Sequence, residues 1–291
     1  MSTFNLHWLA QCLGSQPTVS LHLGCADITN FSFRLQTSCP GTTLWSFECA
    51  EIWKESNIAK SKLFNLNYVH KAVSDQDGQA VFYEGAKTDL QTQDHWQYRG
   101  RMDDPFNPDH DLNYGEESLQ SRNWIKNTVE TVSLNTFFAD QQIVPDFIYS
   151  ETTGEEFNIF KTLRPEYWPT IAWINRLNRY HAGNNTFVDL DCLENLFYSR
   201  GCVIVHREER GMLFVKQGIE TPVYTAFDMT TESCRQHEKI IQQKIWLQRY
   251  HVIKDSAWPD LDTVADFYKL PWRVIDECRK TYSLEPHASI L

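Results

Sequence analysis

Three short stretches of this 291-residue chain place ligand-holding residue types at the ends of apolar segments. The first is Gly24-Cys25-Ala26-Asp27, which follows Val19, Leu21 and Leu23 alternating with Ser20 and His22. A strand that stops at glycine and gives way to a helix near Phe31 is a turn suited to a nucleotide, because glycine lets backbone approach a ligand without a Cβ between them. The second is Glu48, after Leu44-Trp45-Ser46-Phe47. A carboxylate there can accept both hydroxyls of a ribose. The third is Ser74-Asp75, after Ala72-Val73, a polar pair able to meet an adenine edge. Each has a plainer reading: Glu48 as a strand-end acid, Asp75 as a turn residue before Asp77-Gly78, and His22 as a hydrogen-bonded core histidine.

These residues need a scaffold, and the spacing of apolar residues predicts one. Helices are expected over Phe4 to Leu13, near Asn30 to Gln36 and over Ala50 to Lys60. Strands are expected at Val19 to Leu23, Leu44 to Phe47, Tyr68 to Val73 and Gln79 to Tyr83. Alternation of strand and helix with short crossovers implies a parallel sheet flanked by helices. The pattern resumes with strands at Val129 to Leu134, Phe147 to Glu151 and Thr170 to Ile174. Helices are expected from Glu155 to Leu163 and Asp189 to Arg200, and Cys202 to His206 with Met212 to Lys216 form a closing hairpin. Residues 84–127 are polar and rich in Pro and Gly, the mark of a long lid insertion. From residue 221 the pattern turns helical, with Cys234, His237, Ile241 and Ile245 along one line. The expected division is a sheet domain over 1–220 and a helical appendage over 221–291. The appendage could cap the site or join two copies as a homo-oligomer.

Composition limits the classes of function. The formal net charge of −11 argues against general binding to a nucleic-acid backbone. No run of apolar residues is long enough for a membrane span, and the N-terminus lacks the pattern of a signal peptide, so the expected compartment is the cytoplasm. The eight cysteines form no C-x-x-C pair and are expected to be reduced. The loop Asp109-His110-Asp111-Leu112-Asn113-Tyr114-Gly115 alternates oxygen donors faintly like a calcium loop, but its glycine is one place late and Gln120 stands where the bidentate acid belongs; a solvated loop without metal is expected.

The order of these blocks resembles the FkbM-type methyltransferases, Rossmann-like enzymes that use S-adenosylmethionine. His22-Leu23-Gly24-Cys25-Ala26-Asp27-Ile28 stands where that family has D-x-G-A-N-x-G, Phe47-Glu48-Cys49 where it has F-E-P, and Ala72-Val73-Ser74-Asp75 matches A-V-S-D. Val132 to Phe137 stands at its T-L-D segment. Asp146-Phe147-Ile148-Tyr149-Ser150-Glu151-Thr152-Thr153-Gly154-Glu155-Glu156 aligns with D-F-I-K-I-D-x-E-G-x-E. The likeness spans about residues 18 to 216. The chain departs at His22, Ala26, Ile28, Tyr149, Glu151 and Thr153, where the family has an acid, asparagine, glycine, lysine, aspartate and glutamate.

The resemblance implies an α/β fold: a class I methyltransferase sheet, mostly parallel with an antiparallel closing hairpin. It implies S-adenosylmethionine held by Gly24, Cys25, Ala26, Asp27, Glu48, Ser74 and Asp75, and O-methylation of a small-molecule, sugar or peptide acceptor. Glu151 is then the candidate group near the transferred methyl, with His22, His95 and His110 as candidate bases. The departures leave a second reading open, a catalytically inactive methyltransferase-like protein acting as a binding or assembly module. A third is a different adenine nucleotide in the same cleft.

Overall fold

The computed structural model describes residues 4–14, 16–28, 31–85, 124–183, 186–208 and 211–226. All of them belong to one compact unit, Met1–Phe227. Most of the expected lid, including His95, His110 and the Asp109–Gly115 loop, lies outside the described residues, as does the helical tail from residue 227 on.

The chain runs α1 (Leu6–Leu13), β1 (Thr18–Leu23), α2 (Phe31–Ser38), β2 (Thr42–Phe47), α3 (Glu51–Phe64), β3 (Asn67–Val69), β4 (Ala72–Ser74) and β5 (Gly78–Gly85). It continues with β6 (Trp124–Ser133), α4 (Leu134–Gln141), β7 (Phe147–Ser150), α5 (Glu156–Lys161), β8 (Ile171–Asn175), β9 (Arg179–Gly183) and β10 (Thr186–Asp189). It closes with α6 (Leu190–Ser199), β11 (Cys202–Arg207) and β12 (Gly211–Lys216). Seven strands form the main sheet in the order β11-β12-β8-β7-β1-β2-β3. β1, β2, β3, β7 and β8 are parallel, and β12 is antiparallel to both β8 and β11. This is a Rossmann-like α/β fold with the expected antiparallel closing hairpin.

Side-chain alternation along the strands builds the two layers. Leu21, Leu23, Phe47, Ile148, Ala172, Ile174 and Phe214 face one way, into a cluster completed by Phe137 and Phe138 of α4, Ile159 and Phe160 of α5, and Phe197 of α6. Phe147, Tyr149, Ile171, Trp173 and Leu213 face the other way, onto Leu6, Trp8, Leu9 and Leu13 of α1 and Leu35 of α2. Asn5 caps α1 by accepting the Trp8 N–H, and Trp8 Nε1 donates to Pro222 O at 2.8 Å, so the segment after β12 returns across α1.

Three features differ from the pattern read in the sequence. The expected strand Tyr68 to Val73 is two strands. β3 pairs with β2 in the main sheet, whereas β4 pairs in parallel with β6 in a separate sheet ordered β4-β6-β5. The break falls at His70, whose Nδ1 lies 3.1 Å from Glu48 O and 3.2 Å from the Tyr68 hydroxyl, turning the chain out of the ladder. The second is the β9–β10 hairpin, where only Tyr180 is fully buried, so no apolar alternation marked it. β6 also begins at Trp124, inside the stretch read as lid.

Gly211 opens β12 because the indole of Trp173 fills the place of its side chain: a Cβ there would lie 2.2 Å from Trp173 Cζ2. Trp173 is buried and packs against Phe4 with ring centroids 4.9 Å apart, so it cannot step aside cheaply. Gly211→Ala is expected to lower stability by about 1–3 kcal/mol, read as a reduced urea midpoint with an unchanged slope.

Candidate functional site

In an open parallel sheet the ligand crevice lies beyond the strand ends where strand order reverses. Here that place is between β1 and β7, since β2 and β3 extend the sheet to one side of β1 and β7 and β8 to the other. The turn after β1 sits at it. Gly24 N and Cys25 N both donate to Phe47 O, at 3.0 and 2.9 Å. Glu151 N donates to Leu23 O at 2.9 Å. Gly24 has φ +75°, and a Cβ on it would lie 2.5 Å from the Glu151 carbonyl oxygen. Glycine is required twice over, by its left-handed backbone and by the neighbouring strand end.

Glu48 fastens this turn to the next. Its Oε2 accepts the Ala26 N–H at 2.8 Å, and its Oε1 accepts the N–H groups of Cys49 and Ala50 at 2.9 and 2.8 Å. Ala50 is the N-cap of α3 and has no side chain to cap it. The carboxylate therefore also serves the start of α3, where negative charge is favoured. Ala26 has φ +47°, a conformation costing an L-residue roughly 1–2 kcal/mol. A charge-assisted hydrogen bond of about 1.5–3 kcal/mol offsets that cost.

Helix α3 holds the far side of the same turn. Asn57 is fully buried; its Oδ1 accepts the Ile28 N–H at 3.0 Å and its Nδ2 donates to Ala26 O at 2.6 Å. One turn further along α3, Lys60 pairs with Asp27 at 2.7 Å. Neither Asn57 nor Lys60 was singled out in the sequence. Their only signal is the i, i+3 spacing on one face of a helix, which many solvated faces share.

The turn thus brings Gly24, Ala26, Asp27, Glu48 and the Glu151 backbone together, with Gly24, Ala26, Asp27 and Glu48 half-buried. Cys25 turns inward: it is 3% exposed, and burial with the nearby Glu48 and Asp27 pushes its thiol well above the ordinary range. Ile28 is likewise buried. Ser74 and Asp75 end β4 rather than β3, with Ser74 Oγ donating to Asp75 Oδ1 at 3.2 Å. β4 nevertheless packs over the strand ends, since Val73 shares a buried cluster with Leu23 and Phe47, and Ala72 one with Cys49 and Ala50. The Glu151 side chain is exposed, and its Oε1 accepts from the Tyr149 hydroxyl at 3.1 Å.

His22 does not join this group. It is 2% exposed, sits edge-on to Phe31 and Tyr149, and its Nδ1 lies 2.7 Å from Ser32 Oγ, which accepts from Ser46 Oγ. Burial pushes its imidazole down to about 3, so it is neutral in the folded protein. The expectation of a base at His22 is therefore corrected: the ring belongs to the layer under α1 and α2. It is also the register partner of Tyr149 on β7. The acid and the lysine that the resemblance places at these positions are replaced here by two contacting rings, so both departures belong to one repacked pair.

The loop after β7 is built on a buried acid. Thr153 and Gly154 have φ +54° and +104°, and Glu156 closes the loop by accepting the Thr152 N–H at 2.9 Å and the Gly154 N–H at 2.8 Å. Beside it Glu155 Oε1 lies 3.0 Å from His181 Nδ1 on β9. Burial pushes the Glu156 carboxyl up to about 7, against the pull of its backbone hydrogen bonds. A folded-state value above the ordinary 4.5 means the folded chain binds this proton more tightly than the unfolded one. The contribution is complete below the unfolded value and is lost as pH rises through the folded one. Stability is expected to fall between about 4.5 and about 7, and Glu156→Gln to flatten that slope in urea melts run across this window.

Among the described residues no helix is long and apolar enough to cross a membrane, and no group of three or more His, Cys, Asp or Glu is placed to hold a metal ion. No protein-family model matches the chain, and no curated protein matches it. Among solved structures, the precorrin-6y C5,15-methyltransferase of Geobacter metallireducens GS-15 is similar over 72% of this chain and 84% of its own, with 11% identity and a TM-score of 0.35.

Proposed function

We propose that this chain is an S-adenosylmethionine-dependent methyltransferase that methylates a hydroxyl of a small-molecule, sugar or peptide acceptor. The observation that carries the reading is the meeting of the Gly24–Asp27 turn with the Glu48 carboxylate at the strand-order reversal. The block order shared with the FkbM-type pattern adds the choice of cofactor. The residues fit an adenosyl group: an acid and a polar pair stand near the same strand ends, beside a half-buried turn of small residues.

In this reading Gly24, Ala26 and Asp27 line the cofactor, Glu48 meets the ribose hydroxyls, and Ser74 and Asp75 meet the adenine edge. The ribose competes with the Ala26 N–H for Glu48 Oε2, which couples ligand binding to the shape of the turn. When bound, the cofactor supplies a methyl group on a positively charged sulfur. The chain's own part is alignment, a negative field from Glu48 and Glu151, and removal of the acceptor's proton. Glu151, exposed and held by the Tyr149 hydroxyl, takes that proton.

Calorimetry with S-adenosylmethionine and S-adenosylhomocysteine tests the reading. Micromolar binding is expected, weakened about tenfold or more in Glu48→Ala. Binding of ATP or NAD in their place would assign the crevice to another nucleotide. No binding of any of them, with Glu48→Ala behaving as the parent, would make the protein a binding or assembly module.

A further inference from the structure

We infer that Asn57 is a positioning residue for the proposed cofactor, holding the β1–α2 turn in the shape that receives it; the inference rests on the methyltransferase reading above. Ala26 is the strained point of the turn, with φ +47° and neither the conformational freedom of glycine nor a polar side chain to support that geometry. Its N–H is held by Glu48. Its carbonyl and the next-but-one N–H, that of Ile28, are held by the two ends of the Asn57 amide.

The amide can face only one way. Oδ1 must meet the Ile28 N–H and Nδ2 the Ala26 carbonyl, because reversal would set donor on donor and acceptor on acceptor. Asn57 is also fully buried, so packing holds its rotamer as well. Asp27 lies between the two clamped groups, and Lys60 on the same helix fixes its carboxylate. The Ala26 N–H and carbonyl, the Asp27 carboxylate and the Ile28 N–H are thereby oriented by Glu48 or by α3. Loss of the Asn57 amide would leave the turn free to relax from its positive φ, and a ligand would have to restore that geometry on binding.

The test uses the full chain, with S-adenosylhomocysteine as the probe in calorimetry. Asn57→Ala is expected to weaken binding about ten- to a hundredfold. Asn57→Asp keeps size and shape and carries the test if the alanine variant folds poorly. Its carboxylate accepts from Ile28 N but repels Ala26 O, whereas its protonated form donates to that carbonyl. Its deficit relative to the parent is therefore expected to shrink by about fivefold or more from about pH 8 to about pH 5, a dependence that simple loss of packing does not produce. Among the described residues, the other titratable or charged groups around this turn are Cys25, Asp27, Glu48, Cys49, Lys60, Tyr68 and His70; both proteins carry them, so the comparison isolates the added carboxyl and its coupling to them.

Hydrogen exchange at the Ile28 amide gives a readout without ligand and should quicken in Asn57→Ala, which removes its acceptor, and stay close to the parent in Asn57→Asp, which keeps one. If the parent binds the probe and both variants bind it equally well at every pH, this inference is overturned and the cofactor reading stands. If the parent does not bind it, the cofactor reading falls and the inference with it, whatever the Ile28 amide does.

Discussion

The carboxylate of Glu48 gathers the backbone N–H groups of Ala26, Cys49 and Ala50, and through it the turns after β1 and β2 become one structure. The arrangement is demanding because the three donors belong to segments that no ladder hydrogen bond positions. It also explains how Ala26 can keep a left-handed backbone. Without an acceptor at Oε2, that N–H would be a half-buried donor in a strained turn, and relaxation would move Asp27 and Gly24 with it.

The rest of the site is arranged around that anchor. Glu151 at the end of β7 approaches Gly24 closely enough to exclude any side chain, so the β1 and β7 ends are locked at the place where strand order reverses. Helix α3 then clamps the turn from its other side through Asn57 and Lys60. Glu156 does for the loop after β7 what Glu48 does for the loop after β2: a carboxylate gathers backbone donors, here under full burial. Two acidic residues thus hold the loops on the two sides of the crevice.

Much of the scaffold was readable because the main sheet alternates plainly. Val19, Leu21 and Leu23 against Ser20 and His22 place β1 and both of its faces, and Glu48 was recognisable as an acid directly after an apolar strand. The readable signal ended where stabilisation comes from single contacts. The split between β3 and β4 turns on the hydrogen bonds of His70, and no periodicity encodes it. Asn57 looks like any polar residue of a helix until α3 is docked on the turn. The departures at His22 and Tyr149 seemed separate in sequence, being far apart along the chain. The register of β1 on β7 makes them direct neighbours, which is a tertiary fact.

Amide hydrogen exchange at Ala26, compared between the parent and Glu48→Gln, tests the anchor most directly. A glutamine offers one acceptor oxygen and turns an amine toward a backbone donor, so it cannot serve Ala26 and α3 together. The account predicts that Ala26 exchanges about ten- to a hundredfold faster in the variant while the Leu21 and Leu23 amides within β1 keep their protection. Equal Ala26 protection in both proteins would contradict it.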